Sequence, residues 1–176
     1  NGDSGMLYNT VLLPEVNNTQ VEKIGGPGKE FWVFGKNYRN DAQEPYPDPA
    51  NERGAWRVEV SPKSPANKDY FLNVMQVADN TCSMMNDVNR IDSDCVIGVQ
   101  IADRIVTFSK NSNILSGKFS LSVKGSGKIK FVITDLKPGN WQIKKDGKIF
   151  APMQEVSTDS GILYFEGTAG NYEFNR

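Results

Sequence analysis

The chain has 176 residues and 19.6 kDa, room for one domain of ordinary size that buries roughly 70% of its unfolded surface. Lys+Arg number 20 against 21 Asp+Glu, a net charge of -1 without the basic excess of a nucleic-acid binder, and 38% hydrophobic residues exclude the disordered class. There is no histidine, so a Ser-His-Asp or Cys-His nucleophile, a His-bearing metal site and a histidine general base are excluded within this chain.

Residues 1–11, opening Asn1-Gly2-Asp3-Ser4-Gly5, read as a leader or linker with no signature of a targeting segment. The longest apolar runs are strand length, far short of the ~20 residues of a membrane helix, so no membrane partner is expected. The chain therefore reads as a processed chain or an excised domain.

Residues 12–176 read as one β-sandwich domain. Gly25-Gly26-Pro27-Gly28 has the look of a phosphate cradle, but Lys29-Glu30 leads into the strand-like Phe31-Trp32-Val33-Phe34 and not into a helix N-terminus. A turn is expected there. Tyr38 to Gly54 carries Pro45, Pro47 and Pro49 through its middle and cannot be an interior strand, so a long loop over 38–54 is expected. Trp56-Arg57-Val58-Glu59-Val60 alternates with its charges outward, and Tyr70 to Val77 is apolar on both faces, as a central sandwich strand would be.

Residues 82–95 form a second irregular insert, bounded by Cys82 and Cys95. The two cysteines could close a short disulfide loop in an oxidising compartment, and two reduced thiols are the alternative. Asp87, Asp92 and Asp94 with Asn86 and Asn89 offer oxygen ligands, but without the spacing or turn glycine of an EF-hand loop they read as solvated acids, and no metal site is assigned.

Val96–Ile101 and Arg104–Phe108 form a pair about a tight turn at Ala102-Asp103. Phe119–Val123 and Ile129–Thr134 flank Gly125-Ser126-Gly127, Trp141–Lys145 and Lys148–Phe150 flank Asp146-Gly147, and Ile162–Glu166 and Tyr172–Phe174 flank Thr168-Ala169-Gly170. No window sustains a 3.6 period. The predicted fold is all-β, an antiparallel two-sheet β-sandwich of about 10–12 short strands with little or no helix.

Ile24-Gly25-Gly26-Pro27-Gly28-Lys29-Glu30-Phe31-Trp32-Val33, Trp56-Arg57-Val58-Glu59-Val60-Ser61-Pro62 and Phe71-Leu72-Asn73-Val74-Met75-Gln76-Val77 occur in an order that resembles the C-terminal region of heparinase II/III-like polysaccharide lyases. Ile133 to Trp141 and Gly170 to Phe174 extend the resemblance, which runs from about Leu12 to Phe174. It implies a β-sandwich appended to an (α/α)-toroid and a central β-domain, which would be its partners in a periplasmic or secreted protein. Such enzymes abstract the C5 proton of a uronic acid and eliminate the 4-linked sugar, with tyrosine and histidine in a cleft and, where zinc is present, histidine ligands. None of those positions has a counterpart here. No catalytic residue carries over, and no cofactor is expected.

The expected function is a non-catalytic accessory domain that supports the catalytic domains of such a lyase. One alternative is a carbohydrate-binding module for acidic glycans, in which Tyr38, Arg39, Tyr46 and Arg53 on the proline-bearing loop contact substrate. Arginine suits planar carboxylate or sulfate groups through paired hydrogen bonds. A second alternative is an independent enzyme built on tyrosine with arginine or lysine. Trp32, Trp56 and Trp141 read as core residues. Glu59, on a wet strand face, and Asp135, opening a turn, show no sign of forming a catalytic carboxylate pair.

Overall fold

A computed structural model describes residues 5–29, 31–38 and 56–176. The described residues are almost entirely extended, with two 3₁₀ turns at Val16–Asn18 and Lys110–Ser112, and no helix is long and apolar enough to cross a membrane. The chain divides into two compact units. One comprises Val74–Arg176 with the N-terminal residues through Thr10, and the other comprises Val11–Asn73.

In the first unit, β1 (Gly5–Leu13) pairs with β6 (Leu72–Asp79) as a two-stranded sheet, both strands running on into the second unit. β1 thus lies across the segment read as a leader, and the Tyr8 hydroxyl donates to the Cys82 carbonyl at 2.6 Å. The expectation of a central sandwich strand at 70–77 is corrected. Among the described residues β6 has one partner strand, and Met75 and Val77 stay exposed.

The rest of this unit is a two-sheet sandwich. One sheet runs in the order β10 (Phe119–Val123), β15 (Gly170–Asn175), β12 (Gly139–Lys145), β13 (Lys148–Val156). The other runs β14 (Leu163–Gly167), β11 (Ile129–Ile133), β9 (Arg104–Ser109), β8 (Val96–Ile101), β7 (Val88–Asp92). β7 falls inside the stretch read as an irregular insert. Ile91 on it packs against the core while Asn89, Arg90 and Asp92 face water, the economy of an edge strand.

The alternation legible in the sequence becomes the core. Ile129, Phe131 and Ile133 on one sheet meet Phe119, Trp141, Tyr172 and Phe174 on the other, and every member of the main cluster lies between residues 96 and 174. Phe131 sits 4.8 Å from Tyr172 across the interface, centroid to centroid, and stacks on Phe165 at 4.4 Å within its own sheet. The Tyr172 hydroxyl donates to the Thr168 carbonyl at 2.6 Å and accepts the Thr168 amide at 3.0 Å, so this buried ring keeps its polar end satisfied.

Asp146-Gly147 makes the expected hairpin between β12 and β13, with positive φ at both residues as a type I′ turn requires. Gly125-Ser126-Gly127 and Thr168-Ala169-Gly170 do not make hairpins. Each carries the chain from one sheet to the other, because the strands they join bury one face each and meet across the core. One consequence is a parallel pair inside a sheet expected to be antiparallel. β9 and β11 run the same way because β10, between them in sequence, crosses in the opposite sheet.

The second unit holds β2 (Thr19–Gly25) paired with β5 (Trp56–Pro62), and the two-residue strands β3 (Trp32–Val33) and β4 (Lys36–Asn37). The glycine-rich segment between β2 and β3 is the expected turn, closed by Lys29 N–H donating to the Gly26 carbonyl at 2.8 Å, with Gly26 at φ 88°.

Candidate functional site

Of the four loop residues, Tyr38 alone lies within the described residues; Arg39, Tyr46 and Arg53 lie outside them. Tyr38 is 52% exposed, with the Lys36 ammonium 5.1 Å from its ring centroid and its own amide bonded to the Phe31 carbonyl. The tryptophans divide. Trp141 is buried and donates from Nε1 to the Lys137 carbonyl at 2.9 Å, as a core residue. Trp32 is half-buried. The core reading of Trp56 is corrected: it is 50% exposed because β5 has one partner strand among the described residues, and the Lys23 ammonium covers its ring at 4.3 Å. Gly26 approaches the same ring so closely that an added Cβ would lie 2.6 Å from it.

The acids have local structural work. Asp135 is at φ 60° and its Oδ2 accepts the Ser109 amide at 2.9 Å, while its carbonyl accepts the Leu115 amide. Glu59 accepts from Arg57 Nε at 2.6 Å on an exposed face. Asp92 is held between Lys110 Nζ and Arg90 Nη2. Among the described residues no three His, Cys, Asp or Glu side chains gather to hold a metal ion. Cys82 and Cys95 are free thiols: Cys82 Sγ donates to the Met84 carbonyl at 3.1 Å, and burial pushes the Cys95 thiol up, helped by the charge of Asp94.

Most of the remaining shifts belong to surface pairs. Asp103 is lowered by the hydrogen bond from Lys130, and Glu173 by the one from Lys118. Lys128 is raised by its bond to Glu166. Tyr172 is raised by burial, partly offset by its bond to Thr168. Lys118 and Glu173 border a small hollow of about 100 Å³ with Lys144 and Asn175.

A concavity lies along one side of the sandwich, where β7 of one sheet and β10 of the other are both edge strands. Its volume is about 430 Å³, and its walls include Asn89, Asp92, Gln100, Ser120, Ser122 and Lys124. A smaller hollow of about 280 Å³ continues it past Ser93 and Ser120 toward Lys118. Gln100 Nε2 bridges the floor to the Lys124 carbonyl at 2.7 Å. The opposite side is shut by β13 and β14, which follow one another in sequence and bring Phe150 within 5.9 Å of Phe165, centroid to centroid. No sequence pattern signalled the groove, since it arises from which strands end at the edges.

Against known proteins, residues 90–176 match the family model for the heparinase II C-terminal domain. The matched range encloses the whole main core cluster, residues 96–174. No curated protein matches the chain.

Proposed function

With residues 90–176 as a heparinase II C-terminal domain, we propose that the chain is a non-catalytic accessory β-sandwich, which supports catalytic domains that cleave uronic-acid-containing polysaccharide by β-elimination. The observation that carries this reading is the filled interior. Where an active site would need a pocket with convergent ionisable groups, the space between the sheets is packed with Phe119, Phe131, Trp141, Tyr172 and Phe174. A chain without histidine must also find another proton acceptor, and the described tyrosine most perturbed by burial spends its hydroxyl on Thr168.

The test incubates the chain with heparin, chondroitin and alginate and follows ultraviolet absorbance of the unsaturated uronate product. No rise is expected from the chain alone. In a full-length lyase carrying this domain, Tyr172→Phe is expected to lower the temperature of inactivation while leaving kcat/KM unchanged at low temperature. A rise in absorbance with the isolated chain overturns the reading, and saturable binding of a uronate oligosaccharide replaces support with substrate capture.

A further inference from the structure

We propose that the free edge of β10 is a docking site for an acidic, extended peptide segment of a partner polypeptide, taken up as an additional antiparallel strand. The inference is independent of the lyase reading. It begins from a contrast between the two edges of one sheet. β13 is blunted by Pro152 and by register shifts between Trp141 and Lys144, devices that spoil strand addition. β10 has neither. It pairs with β15 in unbroken register from Phe119 to Val123, and among the described residues no strand pairs with its other side. An edge of this kind offers a row of backbone donors and acceptors to an incoming chain.

The groove beside it is shaped for such a strand. The two hollows follow residues 118–125, which at ~3.3 Å per residue is about 26 Å of extended chain. Phe119, Leu121 and Val123 turn inward, so alternate side chains of an added strand would point toward the groove mouth near Ile91, and the others would stand beside Ser120 and Ser122. These serines are small and exposed and leave the approach clear.

Charge selects the occupant. Lys118 and Lys124 stand at the two ends of the edge, on the same outward face as the serines. Lys118 reaches Glu173 at 2.7 Å and is still 64% exposed, and Lys124 has no ion-pair partner among the described residues. A second copy pairing antiparallel about Leu121 would set Lys118 opposite Lys124, and like charges directly opposite are destabilising. A strand with carboxylates six positions apart would meet a lysine at each end. A polyanionic glycan fits less well: no lining residue offers an exposed aromatic ring for a sugar to stack on, and a saccharide has no row of amides to pair with the strand edge.

The test titrates the full chain into a fluorescently labelled probe, Asp-Val-Thr-Val-Thr-Val-Asp, at low salt and follows anisotropy. Saturable binding is expected, with slowed hydrogen exchange at amides of residues 119–123. The double variant Lys118→Glu, Lys124→Glu is expected to bind at least about fivefold more weakly, and a probe with lysines at both ends is expected to recover binding to that variant. Two probes, one N-methylated at the central valine and one at both threonines, test backbone pairing on the unaltered protein, and since alternate amides of an added strand face its partner, one of the two is expected not to bind. Absence of saturable binding at millimolar probe, indifference to N-methylation, or preferential filling of the groove by a uronate oligosaccharide overturns the proposal.

Discussion

Replacing Tyr172 by Phe removes one oxygen from the end of a buried ring and leaves the rings around it in place. The ring contacts Phe131, Phe150 and Phe165 and is fully buried, so the apolar contribution is conserved. What is lost is a reciprocal pair of hydrogen bonds to Thr168, one donated at 2.6 Å and one accepted at 3.0 Å. Each neutral bond is worth about 1 kcal/mol net, and Thr168 is an exposed residue whose freed amide and carbonyl can turn to water. A loss of about 1–2 kcal/mol is expected, a sizeable share of the ~5–15 kcal/mol that holds a domain of this size. Urea unfolding followed by circular dichroism at pH 7 measures it, with the slope against urea unchanged because no extra surface is exposed. The pH dependence supplies an independent check. Burial raises the Tyr172 hydroxyl above its ordinary value of 10.0, so above that pH the unfolded chain gives up the proton first and stability falls as pH rises. Below pH 10 both states hold the proton and the group contributes no slope. Tyr172→Phe should therefore remove part of the alkaline decline. A change under 0.5 kcal/mol at pH 7, or an alkaline decline identical in both proteins, refutes the reasoning.

Thr107 Oγ1 is buried without a hydrogen-bond partner, so Thr107→Val is expected to stabilise the domain by about 1 kcal/mol in the same urea assay. Gly98 faces it across the β8–β9 pair, where an added Cβ would lie 2.2 Å from the Val106 carbonyl oxygen. Gly98→Ala is expected to cost about 3 kcal/mol or more as the strands are forced apart, visible as a large drop in urea midpoint or as insoluble protein. Because burial raises the Cys95 thiol and leaves less thiolate at neutral pH, iodoacetamide should alkylate Cys95 more slowly in the native protein than in urea at the same pH, as mass spectrometry of the digested chain will show.

The sequence disclosed the sandwich because its signals are local. Phe119-Ser120-Leu121-Ser122-Val123 alternates with period two and buries just the three apolar residues, and Asp146-Gly147 can scarcely be other than a hairpin turn. Pairing partners were less legible. A turn such as Gly125-Ser126-Gly127 suits a hairpin and a crossing between sheets equally well, and the choice is made by the distant strands that β10 and β11 meet, β15 and β14. Trp56 and Val77 misled for a related reason. Their alternation or apolar character records a surface suited to burial, whereas exposure depends on how many strands lie alongside. The groove was invisible altogether, because an edge is a property of the completed sheet. Of the candidate site, Tyr38 and the tryptophans could be weighed from their neighbours in the chain, but the unpaired side of β10 could not.

The place of β15 bears on how the protein is made. It lies between β10 and β12, so the four-stranded sheet has no continuous ladder until residues 170–175 exist. β12 and β13 can close as a hairpin while the ribosome is still at work, but β10 must wait more than forty residues for its only described partner, with Phe119, Leu121 and Val123 uncovered meanwhile. Synthesis at ~5–20 residues per second makes that interval a few seconds. The nascent chain thus carries an alternating, sheet-prone segment unprotected until nearly the last residues of the sandwich emerge, and the lysines on either side of that segment keep neighbouring nascent chains apart in the interim.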